Sequence, residues 1–370
     1  MSVRDLADYP WDAVAPYRER ASAHPDGIVD LAIGSPVDPT PEPIRRALAE
    51  ATDAHSYPQT VGTPALREAI ADWYARRRGV PDLRVDNVMP TIGSKELVAL
   101  LPTLLGLGAG DVVVQPRVAY PTYAVGAQVA GATVVSADDP ADWPEGTRLV
   151  WINTPGNPDG RTWTIDELAA AARRARELGA VLASDECYAE LGWEGPWATK
   201  PVPSVLDPRV TGGSRANLLS VYSLSKQSNL AGYRAAFVAG CAKIVGEILT
   251  ARKHLGLMPP APVQHAMEVA LRDDEHVAAQ KELYRARRAL LKPALVEAGF
   301  RIDGSEAGLY LWATQGRDAW ESMGALADLG ILAGPGPFYG EHSPQHVRLS
   351  LTASLERIEA AAARLRASVS

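Results

Sequence analysis

Residues 218–234 read LLSVYSLSKQSNLAGYR. Leu218 to Tyr222 have the character of a buried strand, and a hydroxyl-rich turn follows that carries Lys226, with Arg234 eight residues on. In α/β sheets, ligands bind at the carboxyl ends of strands. A lysine leaving such a strand either reaches water or stays partly desolvated. Desolvation lowers its pKa toward that of a usable amine nucleophile, one able to form a Schiff base. The hydroxyls of Ser223 and Ser225 and the guanidinium of Arg234 are the donor types a phosphate group takes. Alone, the SxSK pattern also describes an ordinary surface lysine, so the rest of the chain must discriminate.

Working outward, short β-branched runs alternate with helical patterns. Strands are predicted over Asp111 to Gln115, Ala132 to Ser136, Leu149 to Asn153, Ala180 to Ser184 and Ala235 to Ala239. This alternation is the signature of βαβ units around a mainly parallel sheet. Thr63 and Pro64 start one helix as N-cap and first-turn residue. Thr164 and Glu167 form a capping box for another, over Ile165 to Leu178, with Gly179 as its stop. Beyond Gly240 the character changes to helices, including Glu275 to Glu297 with Arg285, Arg287 and Arg288 on a solvated face. Strands Gly308 to Trp312 and Val347 to Leu351 follow. The expectation is an α/β protein. Residues 46–250 form a large domain with a mainly parallel sheet flanked by helices, residues 251–370 a smaller α+β domain, and residues 1–45 an N-terminal arm and part of the small domain.

Composition narrows the function. The 37 basic and 44 acidic side chains leave a formal charge of −7, which argues against nucleic-acid binding through overall positive charge. Hydrophobic residues make up 46% of the chain, enough for a real core. Cys187 and Cys241 form no CxxC pair, so neither a disulfide framework nor a zinc site is supported, and a reducing cytoplasm fits. No apolar leader and no run near the roughly 18 apolar residues of a membrane span is found. His342 and His346 are spaced like a zinc pair, but Pro344 breaks the helix that spacing needs, and no metal is expected. Arg76 to Arg78 and Asp273 to Glu275 read as solvated helix ends.

Two further segments carry chemistry. NTPGNPDG, residues 153–160, ends a strand and by itself reads as a turn. DECY, residues 185–188, puts an acid at the end of a strand whose preceding residues look buried, and a buried carboxylate needs a cationic or hydrogen-bonding partner. A protonated pyridine nitrogen would serve, with Tyr188 reaching the phenolate oxygen of the same ring.

Together these segments resemble the fold-type I aminotransferases that use pyridoxal 5′-phosphate, and the likeness covers nearly the whole chain. The resemblance implies that Lys226 holds the cofactor covalently and then works as general base and acid. It implies Ser223, Ser225 and Arg234 around the phosphate, Asn157 and Tyr188 at the 3′-oxygen, and Asp185 on the pyridine nitrogen. Gly93, Ser94 and Lys95 match the turn that presents backbone N–H groups to the phosphate at a helix N-terminus. Tyr120 matches the ring stacked on the pyridine, though it also reads as a packing tyrosine. Arg348 matches the arginine that grips the substrate α-carboxylate, with an ion-pair role as its alternative. Gly34 matches a glycine near that carboxylate, or a turn glycine. Tyr57 matches a tyrosine that reaches the phosphate of the neighbouring subunit, which implies a homodimer.

Within the superfamily, DYPWD (residues 8–12), YPQTVGTP (57–64), DECYAELGW (185–193) and SEAGLYLW (305–312) resemble the actinobacterial N-succinyl-diaminopimelate aminotransferases. That resemblance implies transfer of an amino group from L-glutamate to N-succinyl-2-amino-6-oxopimelate in lysine and diaminopimelate biosynthesis, in the cytoplasm. Arg117, Arg252 and Lys253 are candidates on charge alone for the distal carboxylates. A broad alanine or aspartate aminotransferase, or a C–S β-lyase, would keep the same cofactor residues. The start of the chain leaves no room for a DNA-binding domain, so a regulator is not expected.

Overall fold

The computed structural model describes residues 10–369. Asp8 and Tyr9 of the DYPWD segment lie outside the described residues. The strands in chain order are β1 Val29–Asp30, β2 Val88–Ile92, β3 Val112–Gln115, β4 Thr133–Ser136, β5 Thr147–Asn153, β6 Val181–Asp185 and β7 Leu218–Ser223. They continue with β8 Ala235–Gly240, β9 Arg301–Ile302, β10 Tyr310–Thr314, β11 Ile331–Leu332, β12 Gly334–Pro335 and β13 His346–Ser350. Seven of them form one sheet in the order β2-β8-β7-β6-β5-β3-β4, in which only β8 runs against the others.

Helices between the strands cover both faces of this sheet, as βαβ connections require. One face packs Trp73, Ile70 and Leu168 into a core with Val150, Leu182 and Phe237. The other packs Leu97, Leu101 and Tyr123 against Val113, Trp151 and Val238. Local signals hold where they were read. Thr63 accepts from the Leu66 N–H, and Gly79 ends the helix Pro64–Arg78 at a φ of +67°. Thr164 and Glu167 cap each other around Ile165–Glu177.

A second, four-stranded antiparallel sheet has the order β12-β13-β10-β9. β1 pairs in parallel with β11, so the N-terminal segment packs with the C-terminal part of the chain. These elements share a third core with the helices Glu275–Glu297 and Leu355–Ala367.

Several charged runs depart from expectation. Arg287 is buried and ion-paired with Asp38, and Arg288 bonds Glu194 at 2.6 Å and the Ser305 carbonyl at 2.8 Å. Arg78 is buried against Glu186 at 3.1 Å, Arg77 pairs with Glu190, and Asp273 faces His276 at 3.1 Å. These residues were read as solvated, but distant partners hold Arg78 and Arg287 inside, and Arg77, Arg288 and Asp273 are part-buried in ion pairs.

Candidate active site

The carboxyl ends of β5, β6 and β7 lie side by side, with Asn153 in register with Asp185 and Asp185 with Val221. Each strand therefore delivers its terminal residues to one rim. β7 ends at Ser223, whose hydroxyl caps the short helix Leu224–Gln227 by accepting from the Ser225 N–H at 3.2 Å. Ser223 also donates to Ser225 Oγ at 2.8 Å. The next residue, Lys226, donates from Nζ to the Gly34 carbonyl. Burial holds its amine below the ordinary lysine range. The nearby charges of Arg348 and Arg234 push the same way, while Tyr310 and Cys187 oppose them.

Asp185 is buried at the end of β6. Its Oδ2 accepts from the Tyr123 hydroxyl at 2.9 Å and its Oδ1 from the Cys187 N–H at 3.2 Å. These are neutral donors. Burial outweighs them and leaves the carboxyl above its ordinary pKa, so the site calls for a cation. Tyr188 is buried beside it and hydrogen-bonds the Tyr310 hydroxyl at 3.2 Å. Tyr120 is half-buried on the loop before the helix Thr122–Ala130, and burial pushes its phenol up to about 12.

β2 delivers Gly93, which caps the helix Ser94–Leu104 at a φ of +74°. A Cβ there would come 2.7 Å from Cζ of Arg234, so this turn and the guanidinium close on one another as only glycine allows. Lys95 points to the exposed side.

From the second sheet, Arg348 on β13 is buried. It donates to Asn157 Oδ1 at 2.8 Å and to the Ala32 carbonyl at 2.6 Å. Its Nε is buried with no acceptor among the described residues. Asn157 is fixed through its backbone N–H, which donates to Asn153 Oδ1 at 2.7 Å. Gly34, Asn157, Asp185, Tyr188, Ser223, Ser225, Lys226 and Arg348 thus meet at the strand ends, with Gly93 and Arg234 at their edge. Tyr57 stands apart, 97% exposed in the loop before the helix Pro64–Arg78. Of the three cations considered for distal carboxylates, Arg252 is fully buried and spent on Glu96 at 2.7 Å and the Leu257 carbonyl at 3.1 Å. It is no substrate reader. Lys253 and Arg117 are exposed. His346 bonds Asp303 at 2.9 Å and stacks on Trp312. Two tyrosines escaped the sequence reading: Tyr123, three residues after Tyr120, and Tyr310, inside a quoted segment but given no role. Nothing in their spacing singles them out; a buried hydroxyl reaching another strand is visible only once the sheet is assembled.

These residues fit pyridoxal 5′-phosphate. A buried carboxylate with only neutral donors suits a protonated ring nitrogen. A glycine turn closed on a guanidinium, with two adjacent serine hydroxyls, suits a phosphate. A desolvated lysine suits the aldehyde. A mainly parallel sheet with this donor set at its carboxyl ends defines a fold-type I pyridoxal-phosphate enzyme. The description "Aminotransferase class I and II" matches residues 26–365, and the chain belongs to that family. It is a pyridoxal-phosphate-dependent aminotransferase. It is 52% identical over 98% of its length, and the whole of the relative, to the 4-dedimethylamino-4-oxo-anhydrotetracycline transaminase OxyQ of Streptomyces rimosus. A probable aminotransferase of Mycobacterium tuberculosis is also 52% identical, over 97% of this chain and 85% of the relative. Among solved structures, a probable N-succinyldiaminopimelate aminotransferase from Thermus thermophilus superposes with a TM-score of 0.85 at 28% identity, covering 97% of this chain and 99% of that one. The expected likeness to succinyl-diaminopimelate aminotransferases is thus present, but weaker in sequence than the likeness to the first two relatives.

Proposed function

We propose that this aminotransferase moves the amino group of L-glutamate to N-succinyl-2-amino-6-oxopimelate, giving 2-oxoglutarate and N-succinyl-LL-2,6-diaminopimelate. The carrying observation is Arg348, buried at the strand ends with two of its nitrogens bonded and Nε without an acceptor among the described residues, beside a desolvated Lys226. A buried guanidinium with a donor to spare fits an α-carboxylate, which both partners of this reaction carry. The segments that resemble those of succinyl-diaminopimelate aminotransferases and the Thermus structure support the choice of acceptor.

In this reading Arg348 binds the substrate carboxylate and orients Cα toward Lys226. Bound pyridoxal phosphate supplies an electron sink for the electrons released at Cα. Asp185 would keep the ring nitrogen protonated, and the Tyr123 hydrogen bond lowers the Asp185 pKa against burial. Tyr120 would cover one face of the ring, Asn157 and Tyr188 would donate to its 3′-oxygen, and Gly93, Ser94, Lys95, Ser223, Ser225 and Arg234 would hold the phosphate. The Lys226 amine would take the proton from Cα and, as general acid, deliver it to the cofactor's C4′ carbon. Gly34 lets the substrate carboxylate lie against backbone. The protein works as a homodimer in which Tyr57 of each subunit completes the other's phosphate site.

The 52% likeness to a transaminase named for a 4-oxo-anhydrotetracycline favours a second reading, a polycyclic ketone as acceptor. The test is an absorbance spectrum of the cofactor-loaded protein before and after L-glutamate, then each acceptor offered to the aminated form. A visible band bleached by glutamate and restored by N-succinyl-2-amino-6-oxopimelate supports the first reading. Restoration only by the tetracycline ketone supports the second. A band indifferent to glutamate moves the C–S β-lyase or an alanine or aspartate aminotransferase ahead.

A further inference from the structure

Tyr310 opens β10, where the antiparallel register sets it opposite Ser350 and sets Trp312 opposite Arg348. Tyr310 and Arg348 are therefore diagonal neighbours on one sheet face, a spacing long side chains bridge. The guanidinium lies 4.0 Å from the centre of the Tyr310 ring, nearer than to the rings of Tyr339 at 5.0 Å or Trp11 at 6.0 Å. The other end of Tyr310 meets different partners. Its hydroxyl is 3.2 Å from that of Tyr188, and a Cβ on Gly34 would collide with it. Gly34 is also the residue whose carbonyl accepts from Lys226. One side chain thus touches the carboxylate-binding arginine with its face and the surroundings of the lysine with its tip.

We propose that Tyr310 is a positioning residue with two separable tasks: its ring seats Arg348 for the substrate carboxylate, and its hydroxyl supports the protonated state at Lys226 through the Tyr188 and Gly34 contacts. The proposal rests on the transaminase reading above. The charges around Tyr310 agree with it. Burial alone would raise its phenol, but Arg348, Lys226 and the hydrogen bond with Tyr188 outweigh burial and hold it below its ordinary range. Tyr188, pushed up by burial and by Tyr310, keeps its proton, and the two hydroxyls share a hydrogen bond in which either can donate. Tyr310 in turn raises the proton affinity of Lys226 against burial. Cys187 faces both groups, Arg234 acts on Lys226, and Tyr120, Tyr284 and Tyr339 lie farther round the same cluster.

The two tasks come apart in two variants of the cofactor-loaded enzyme. Tyr310→Phe keeps the ring and removes the hydroxyl; Tyr310→Leu removes both. Two readouts are taken: spectrophotometric pH titration of the lysine-linked cofactor, and binding of 2-methyl-L-glutamate, which has no Cα proton to lose. For Tyr310→Phe the analogue should bind within about twofold of wild type, while the titration midpoint falls by roughly half a unit or more because the protonated form loses its support. For Tyr310→Leu binding should weaken about tenfold in addition, the loss expected of a desolvated cation–π contact. If leucine lowers the melting temperature, Tyr310→Met tests the ring at nearer volume. A Tyr310→Phe enzyme that titrates like wild type overturns the hydroxyl's task. Ring-less variants that bind the analogue as tightly as Tyr310→Phe overturn the ring's task. A wild-type protein that shows no visible band when given the cofactor overturns the transaminase reading itself, and this proposal with it.

Discussion

Tyr123 donates to Asp185 at 2.9 Å while its ring stacks on Trp151 at 5.0 Å, so one residue joins a core to a reacting carboxylate. Arg348, in the middle of β13, was legible only through the family resemblance. Lys226 and Asp185 were legible in the sequence because each is a charged residue at or just past a strand end, where a buried charge demands a reason. Tyr123 was not, because a tyrosine in an apolar helix needs none. Its phenol lies far above the ordinary range, through burial first and then the adjacent carboxylate, so it stays a donor at any working pH. Its hydrogen bond lowers the pKa of Asp185 against burial. Tyr123→Phe keeps the stack and removes the donor to a charged group, worth about 1.5–3 kcal/mol. Cofactor affinity and kcat are expected to fall about tenfold or more, with a melting temperature close to wild type. Dialysis against buffer followed by readdition of pyridoxal phosphate measures the first; unchanged retention would reduce Tyr123 to packing.

Strand ends carry the site, so errors in element assignment matter less in the sheet's middle than at its rim. The alternation of β-branched runs located β3 to β8 to within a few residues, yet β2 went unread. Its sequence, VMPTI, contains Pro90, which demotes a strand; β2 survives because it is the edge strand, paired on one side with β8 only. That edge strand delivers Gly93. Gly93→Ala places a side chain at a φ of +74° and against the Arg234 guanidinium, so about 1–3 kcal/mol of strain is expected. Part of it should be relieved by displacing Arg234, which makes weakened cofactor phosphate binding the more sensitive readout. Helix Glu275–Glu297 supports the opposite side of the site: Tyr284 donates to the Lys226 carbonyl at 3.2 Å, and Arg287 and Gln280 bond Asp38, four residues from Gly34. Burial raises the Asp38 carboxyl, but Arg287 and Gln280 prevail and hold it below its ordinary 3.8. Its contribution is therefore complete above pH 3.8 and lost as pH falls through the lower folded value. Asp38→Asn leaves Arg287 buried without its partner and should cost roughly 3 kcal/mol near neutrality. In urea unfolding, the gap between variant and wild type should stay constant from pH 7 to about 5 and close below pH 4.

At the scale of the whole chain, we propose the division into residues 1–45, 46–250 and 251–370. The helix Ala261–Arg272 argues for moving the second border past Arg272, because Val263, Met267 and Leu271 share the core that holds Trp73 and Phe237. Sequence character changes after Gly240, but packing does not change there, since a helix can belong to the sheet it covers rather than to its neighbours in sequence. The larger question is whether one chain makes a complete site. Tyr57 is 97% exposed on the segment that the family resemblance sends to a neighbour. If Tyr57 serves the partner's site, two crippled subunits can repair each other. A Lys226→Ala subunit has no amine but a sound Tyr57; a Tyr57→Ala subunit has the amine but offers its partner nothing. In the mixed dimer, the site holding Lys226 receives Tyr57 from the other chain and is whole, while the second site carries both defects. Random exchange of equal amounts puts half the dimers in this mixed form, so about a quarter of wild-type activity should appear from two preparations that separately show little. A Tyr57 that acts within its own chain would give no recovery, because the only site with an amine would then lack its tyrosine.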